Sequence, residues 1–230
     1  MGGDLSPQRL LLAYSRGIFP WFSSNEPILW WAPDPRAILI PSELKISKSF
    51  GKTLRKRGYR LSLNTEFLSV MRACAAPRPS QEETWILPSM ISAYCALNRL
   101  GYAHSVEVWR DETLVGGLYG VGLGKAFFGE SMFSIETDAS KTALAALAYL
   151  GRMGYFEFID CQVESSHLTS LGARLISRET FEQKLENAIS EDMAQIQHII
   201  RGNTPVSVRS VPWQEVFPES TTQLLWDASA

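Results

Sequence analysis

The stretches His104-Ser-Val-Glu-Val-Trp-Arg110, Leu114-Val-Gly-Gly-Leu-Tyr-Gly-Val121 and Ala126-Phe-Phe-Gly-Glu-Ser-Met-Phe-Ser134 decide the fold of this 230-residue chain. The three pieces are short, and each is either apolar or alternates between apolar and polar residues. Turn-forming residues separate them, at 111–112 and at 122–125. Short strands divided by such turns predict an antiparallel meander.

Two further elements complete this unit. Residues 139–150 are rich in alanine and leucine, with no glycine or proline before Gly151, which predicts a helix packed on one face of the sheet. Residues 156–162 predict a strand that re-enters the sheet. The expected class is therefore α+β, with helices packed on a mixed sheet.

Side chains alternate along that last strand, so Asp160 and Gln162 are expected on one face and Ile159 and Cys161 on the other. A carboxylate beside an amide on a mostly apolar sheet is a candidate catalytic pair. The residues alone leave an alternative open, in which the two side chains are a hydrogen-bonded pair that satisfies the sheet edge.

The N-terminal part of the chain has a different character. Residues 5–17 predict a helix that ends at Gly17, and residues 18–36 are rich in tryptophan and proline. This aromatic segment is either a small satellite core or a stacking surface for a base. We expect a small domain over residues 1–35 and a larger domain over 36–230.

A basic run follows, with no acidic residue between Glu43 and Glu66. Its spacing predicts a helix over 47–57 that ends at Gly58. Since the net charge of the chain is −2, such a run is a local patch, either a solvated face or a site for a phosphate backbone. Its members are Lys45, Lys48, Lys52, Arg55, Lys56, Arg57 and Arg60.

The remaining elements are read from periodicity and turn residues. A polar loop that carries Trp85 separates two of the helices, and no periodicity is visible after Gly202. The predicted strands are 37–41 and 59–63, and the predicted helices are 65–75, 88–100 and one near 178–200.

Composition excludes several classes of protein. Three scattered cysteines without a CxxC pair argue for a reducing compartment and against a disulfide framework. No apolar run is long enough to span a bilayer, and the N-terminus has no signal-peptide pattern. We therefore expect a cytoplasmic protein that does not bind membranes.

Motif searches also exclude several kinds of site. The histidines 104, 167 and 198 lack ligand spacing, so no metal site is predicted. There is no P-loop or GxGxxG pattern, and no cofactor is expected. No exposed apolar repeat is evident, so we expect a monomer.

Nine segments together resemble the bacterial leucyl/phenylalanyl-tRNA–protein transferase family. They lie in the correct order within residues 2–182, and several are long and rich in tryptophan, proline and glycine. The segments are 19–22, 30–36, 83–86, 104–109, 114–121, 128–134, 139–144, 158–162 and 167–173.

The resemblance implies an activity and a fold. Such an enzyme moves leucine or phenylalanine, and methionine more weakly, from aminoacyl-tRNA to an N-terminal arginine or lysine of an acceptor protein. The product is marked for degradation by the N-end rule pathway. The implied fold is a larger domain like the GNAT acetyltransferases, preceded by a small N-terminal domain.

The resemblance also implies catalytic roles. Asp160 would orient the amide of Gln162, whose oxygen would assist deprotonation of the incoming amine. Because a neutral amide is a very weak base, the alternative is that Gln162 only positions the amine while solvent or Asp160 takes the proton. An acidic pocket for the acceptor terminus would draw on Glu130, Asp160 or Glu107.

Substrate roles follow in the same way. Glu130 would bind the aminoacyl end, while Met132, Leu118 and Leu147 would line an apolar pocket for the amino acid. The matched tryptophans, Trp85 and Trp21, would lie at the site of the terminal adenosine. The basic run would hold the acceptor stem by its phosphates.

Two other functions are alternatives to aminoacyl transfer. An acetyl-CoA-dependent N-acetyltransferase would need a glycine-bearing pyrophosphate loop, whereas residues 131–138 contain no glycine and two acids. A non-catalytic tRNA-binding module would keep the basic run but would have no need of Asp160 and Gln162 beside an apolar pocket.

Overall fold

A computed structural model describes residues 1–77 and 84–201. A two-stranded ladder near the N-terminus consists of β1 and β2, and the other seven strands form one sheet in the order β4-β5-β6-β7-β8-β3-β9. The strands are β1 Phe19–Pro20, β2 Trp30–Trp31, β3 Arg36–Leu39, β4 Arg60–Leu63, β5 Ala103–Arg110, β6 Thr113–Leu123, β7 Ala126–Ser134, β8 Phe158–Gln162 and β9 Arg174–Ile176.

Helices cover both faces of the sheet. Short 3₁₀ turns lie at Pro41–Glu43 and Ser190–Asp192. The α-helices are α1 Pro7–Tyr14, α2 Lys48–Lys56, α3 Phe67–Ala75, α4 Pro88–Arg99, α5 Ala139–Arg152, α6 Ser166–Ser170, α7 Arg178–Ile189 and α8 Met193–Ile200.

The sheet has the predicted organisation. Strands β5, β6 and β7 form the antiparallel meander, and α5 carries the chain back so that β8 runs parallel to β7. The other neighbouring strands of the seven-stranded sheet pair antiparallel. The mixed α+β class predicted from the sequence is confirmed.

Two apolar cores lie on opposite faces of the sheet. One contains side chains of α1, α3, α4, α7 and α8, and the other contains those of α2 and α5. Helix α5 lies very close to β6 because Gly116 has no side chain. A Cβ added at Gly116 would come within 2.4 Å of the Cβ of Ala139.

The N-terminal segment packs into the first of these cores. Ser6 caps α1, whose Leu10, Leu11 and Tyr14 are fully buried among sheet and helix side chains. The aromatic segment that follows pairs Phe19 with Trp31 in the β1–β2 ladder. A division of the chain at residue 35 stays a prediction.

The single helix predicted near 178–200 is wrong, because the structure has two helices with a 3₁₀ turn between them. The carbonyl of Ala188 accepts a hydrogen bond from the Lys125 amide at 2.8 Å, and Asp192 accepts one from the Gly124 amide at 3.0 Å. These bonds tie the turn to the β6–β7 hairpin. The predicted tail after Gly202 and part of the loop before Trp85 lie outside the described residues.

Candidate active site

A cavity of about 310 Å³ lies where strands β7 and β8 separate. The two strands are paired only as far as Phe128 and Asp160. Strand β8 is also paired along its other edge with β3, at Ile159, Asp160 and Gln162. Because its pairing with β7 ends at Asp160, a gap opens between β7 and β8 beyond that residue. The following residues of both strands line the cavity, together with residues of α5 and the N-terminal segment 19–21.

All eight residues predicted to act in catalysis or to bind the donor line this cavity. They come from the N-terminal segment, the loop before α4, three strands and α5. Their shared location is a finding, while their individual roles stay predictions. They are Trp21, Trp85, Leu118, Glu130, Met132, Leu147, Asp160 and Gln162.

Asp160 is held by Arg36. The Arg36 guanidinium donates from Nε to Oδ1 at 2.8 Å and from Nη2 to Oδ2 at 2.6 Å, and both side chains are at most 1% exposed. The planar guanidinium therefore contacts both oxygens of the carboxylate. Which group takes the proton of the amine stays a prediction.

Asp160 is hydrogen-bonded to the backbone of Gln162 and not to its side-chain amide. Oδ1 of Asp160 accepts the backbone N–H of Gln162 at 2.9 Å. Gln162 has a φ of +64°, in the left-handed region, which ends the regular alternation of the strand. Its side-chain Nε2 instead donates to Oε1 of Glu130 at 2.8 Å.

Glu130 is the centre of a buried polar cluster. Besides the bond from Gln162, its Oε2 accepts the hydroxyl of Tyr94 at 3.0 Å, and that hydroxyl is hydrogen-bonded to the hydroxyl of Tyr14. Burial raises the pKa of Glu130 to about 7, and the negative charge of Asp160 adds to the effect. Glu130 can therefore change its protonation state near neutral pH.

Sequence reasoning missed the aromatic part of this cluster. Tyr14 and Tyr94 lie 80 residues apart, and neither stands in a recognisable motif. Tyr119 packs edge-on against Tyr94, and its buried hydroxyl has no hydrogen-bond partner among the described residues. Burial and the nearby Glu130 charge raise the pKa of Tyr119.

Arg36 was also missed, although it stands in the quoted segment 30–36. Its guanidinium lies between the rings of Phe19 and Phe181, at 4.9 and 4.5 Å from their centroids. Cation–π contacts on both faces compensate part of the cost of burying the charge. The sequence did contain a signal for Arg36, because a charged residue stands at the start of a predicted apolar strand.

The apolar part of the cavity lies on the α5 side. Leu118 and Leu147 are buried, and Met132 is partly buried against the same core. Leu144 and Ile159 complete this wall and were not predicted. The wall offers an unbranched thioether and branched aliphatic groups, which suit a large apolar side chain without fixing one shape.

The mouth of the cavity carries aromatic side chains. Trp21 lines the mouth and is 43% exposed, and Trp85 is partly buried. Trp31 lies next to Trp21, with ring centroids 5.8 Å apart and planes at 54°. These rings can stack on a flat ligand at the entrance.

The basic run is exposed on and around α2, apart from Arg60, which is half-buried over the ring of Trp109. Arg57 makes an ion pair with Glu136 at 3.4 Å. In the part of the chain that is described, the cavity lining includes none of the seven cations. The run is therefore a surface separate from the cavity, and its role in binding tRNA stays a prediction.

Contacts at the start of α5 connect the two regions. Thr53 of α2 donates to Asp138 at 2.9 Å, and Lys141 of α5 pairs with the same carboxylate at 2.8 Å. His167 lines the cavity, and its pKa is lowered by burial and by the charge of Lys141. Helix α2 thus lies beside the wall of the cavity that α5 and α6 form.

Glu107 does not belong to this site. It is buried beside β4, where its carboxylate accepts hydrogen bonds from Ser62 at 2.7 Å and Ser105 at 2.5 Å. Burial raises its pKa. The suggestion that Glu107 helps bind the acceptor terminus is therefore wrong.

The described residues contain no group of three or more histidine, cysteine or carboxylate side chains that could hold a metal ion. Within residues 1–77 and 84–201, no helix combines the length and the apolar character needed to cross a bilayer.

Comparison with known proteins gives consistent matches. A family model described as leucyl/phenylalanyl-tRNA protein transferase matches residues 38–186, and the model of that family's N-terminal domain matches residues 3–34. The leucyl/phenylalanyl-tRNA–protein transferase of Nitrosospira multiformis is 58% identical over 191 residues, which cover 83% of this chain and 82% of the relative. That of Chromobacterium violaceum is 56% identical over 180 residues, covering 78% and 77%.

Solved structures give more distant matches. A GCN5-related N-acetyltransferase-like protein from Streptococcus suis is 12% identical, with a TM-score of 0.35, and the match covers 71% of this chain and 61% of that one.

Proposed function

Because this chain belongs to the leucyl/phenylalanyl-tRNA–protein transferase family, we propose that it transfers leucine or phenylalanine, and methionine more weakly, from aminoacyl-tRNA to an N-terminal arginine or lysine. The modified proteins would then be degraded by the N-end rule pathway. We place the reaction in the bacterial cytoplasm, where charged tRNAs are found, and expect the enzyme to act as a monomer without a cofactor.

One observation carries this proposal: a carboxylate and an amide that are hydrogen-bonded to each other line a largely apolar cavity. Glu130 and Gln162 line the same cavity as Leu118, Met132 and Leu147. The apolar wall would take the side chain of the donor amino acid, and Glu130 would attract its α-ammonium group. A leucyl or phenylalanyl ester presents both of these features side by side.

The reaction needs little chemical assistance. The α-nitrogen of the acceptor bonds to the ester carbonyl carbon, and the bond from that carbon to the ribose oxygen breaks. Of the two protons that the ammonium group loses, one goes to the ribose oxygen and one to solvent. Holding amine and ester together supplies about 7–11 kcal/mol of barrier lowering.

The contacts of Gln162 suggest how it holds the amine. Its Nε2 is used in the bond to Glu130, so its carbonyl oxygen is the end that can accept a hydrogen bond. We assign to that oxygen the N–H of the attacking amine. Asp160 and Arg36 act as positioning residues. Asp160 accepts the backbone N–H of Gln162, and Arg36 holds the carboxylate of Asp160.

Selection of arginine or lysine requires negative charge near the attacking amine. Asp160 is neutralised by Arg36, and Glu107 lies away from the cavity. Glu130 is the remaining member of the predicted acidic set. We therefore propose that Glu130 contributes to binding the positively charged acceptor as well as the donor.

The test is transfer of radiolabelled leucine from Leu-tRNA to a peptide that begins with arginine. Label should enter this peptide but not one with an acetylated N-terminus. Replacing Gln162 by alanine should lower kcat about 100-fold, as expected when a residue that positions the reacting group is lost. The exposed amide Gln183 provides a control, since Gln183→Ala should leave kcat unchanged.

Two results would contradict the proposal. Transfer to the acetylated peptide at an equal rate would show that the α-amine is not the nucleophile. Normal binding of Leu-tRNA with no transfer to any peptide would favour a tRNA-binding protein without catalytic activity.

A further inference from the structure

Two tryptophan rings stand exposed at the entrance of the cavity. Trp21 and Trp31 are each 43% exposed, whereas most of the large apolar side chains in the described chain are buried. Contiguous exposed apolar surface usually marks a binding site, because it is costly to leave in water. The cavity explains why Trp21 is exposed, because Trp21 lines it. It does not explain the exposure of Trp31, which is not among the lining residues.

The structure fixes Trp31 in place despite its exposure. Its Nε1 donates to the Trp21 carbonyl at 2.7 Å, and its backbone is paired with Phe19 in the β1–β2 ladder. The neighbouring Trp30 anchors the same strand from the other side through a bond to the Gly2 carbonyl at 3.0 Å. A ring held this way loses little conformational freedom when a ligand binds.

The available surface of Trp31 is suited to stacking. Since its single N–H is already used, the indole offers only its π-face and ring edge to a ligand. A peptide segment would need hydrogen-bonding groups as well as an apolar surface, and β2 is only two residues long. A nucleobase needs no more than a flat aromatic surface.

The position of Trp31 relative to the cavity indicates which base it meets. The aminoacyl ester must lie inside the cavity, beside Gln162, and the terminal adenosine follows at the mouth, where Trp21 lies. Trp31 is one ring further out, 5.8 Å from Trp21. In this order, Trp31 is the ring that the nucleotide before the terminal adenosine would meet outside the cavity.

We propose that Trp31 forms a second stacking site, outside the cavity, for the cytosine that precedes the terminal adenosine of the tRNA. This inference rests on the proposed function, because it takes aminoacyl-tRNA as the donor. It assigns to the exposed tryptophan pair the task of holding two successive bases of the single-stranded acceptor end.

The test compares two donor analogues that differ by one nucleotide. In both, leucine is joined to 3′-amino-3′-deoxyadenosine by a stable amide. One analogue ends there, and the other carries a 5′-linked cytidine. Isothermal titration calorimetry gives the dissociation constant of each with the wild-type chain, Trp31→Ala, Trp31→Phe and the control Met153→Ala, whose side chain is exposed at the end of α5.

The wild-type chain should bind the cytidine-bearing analogue about 5- to 150-fold more tightly than the shorter one, the range expected for one stacked base. Trp31→Ala should abolish this difference without changing the affinity for the shorter analogue. Trp31→Phe should keep part of it, and Met153→Ala all of it.

Three outcomes would overturn the inference. Equal binding of the two analogues by the wild-type chain would exclude a second base site. Weaker binding of both analogues to Trp31→Ala would show that Trp31 only supports Trp21. A higher KM for the arginine peptide, with unchanged binding of both analogues, would place the acceptor chain on this surface. Because these titrations require no transfer, failure of the proposed reaction would be seen separately.

Discussion

Arg36 is the residue on which the geometry of the site depends most. Its two hydrogen bonds neutralise Asp160, which in turn holds the backbone of Gln162 in its left-handed conformation. Positive φ values are unfavourable for glutamine, so this conformation needs support from neighbouring groups. The ion pair therefore acts on the side chain that meets substrate without touching substrate itself.

Replacement of Arg36 by methionine should lower the free energy of unfolding by about 3–5 kcal/mol, because the variant leaves the Asp160 charge buried and unpaired. Urea denaturation measures this. A second change, Asp160→Asn in the same chain, should restore part of the loss. The matched control is Arg174→Met, which breaks the exposed pair with Glu43 and should cost less than about 1 kcal/mol.

If Arg36→Met were no more harmful than Arg174→Met, the pair would not be the support described above.

Sequence reasoning selected residues that line one cavity, but it missed Arg36, the tyrosines and several of the contacts among them. Alternation along a strand singled out Asp160 and Gln162, and both line the cavity. It could not show that Gln162 leaves the regular strand conformation, since glutamine carries no signal for a positive φ. Nor could it connect Glu130 with Tyr14, because contacts between distant segments are set by packing of the whole chain.

Helix α2 is the element that would distinguish a whole tRNA from a small donor. Its cations lie outside the cavity, so they should contribute to binding of the tRNA backbone and not to binding of the aminoacyl end. Phe50 and Leu54 anchor the opposite face of the helix in the core beside α5.

Replacing Lys48 and Lys52 by serine should weaken binding of Leu-tRNA and make it less dependent on salt. If each lysine neutralises one phosphate, the slope of log K against log salt should become shallower by about 1.4–1.8. Fluorescence titration from 50 to 200 mM NaCl measures this. Binding of a leucyl-adenosine analogue should stay unchanged, and Lys125→Ser, at the β6–β7 turn, serves as the charge control.

An unchanged slope would mean that this face of α2 is only solvated.

Hydrophobic periodicity predicted most of the strands and helices. Helix α2 was predicted over 47–57 and is Lys48–Lys56 in the structure. The error at 178–200 arose because both halves carry a helical pattern. The break between them is imposed by hydrogen bonds to Gly124 and Lys125, which are remote in sequence.

The whole molecule should be more stable in mild acid than at slightly basic pH. Glu130 has a pKa of about 7 in the folded chain and an ordinary value of 4.5 when unfolded. Between these values the folded state keeps a proton that the unfolded state loses, so the free energy of unfolding falls as the pH rises. The total effect is about 3 kcal/mol, at 1.36 kcal/mol for each pKa unit.

Urea denaturation at pH 5 and pH 8 tests this expectation. The Glu130→Gln variant should lose much less stability between the two values than the wild-type chain, because glutamine does not titrate. Glu107, whose pKa is also raised by burial, contributes in the same direction and leaves a residual change. The exposed Glu186 gives a control, and an equal pH response of Glu130→Gln and Glu186→Gln would contradict the assignment.

The layout of the molecule was accessible from the sequence only in part. The meander, the helix after it and the returning strand follow from local patterns. The cavity does not, since it depends on where the pairing between β7 and β8 ends, at Phe128 and Asp160. No local pattern places residues 36–39 between two strands that come more than 100 residues later.

That placement of β3 has a consequence for synthesis of the protein. Arg36 and Asp160 are separated by 124 residues. At about 5–20 residues per second, a ribosome makes Asp160 roughly 6–25 s after Arg36. Strand β3 pairs with β8 on one edge and with β9 on the other, and both of these strands are made later. The cavity therefore cannot assemble until β8 has been made, however early the N-terminal residues that line it are available.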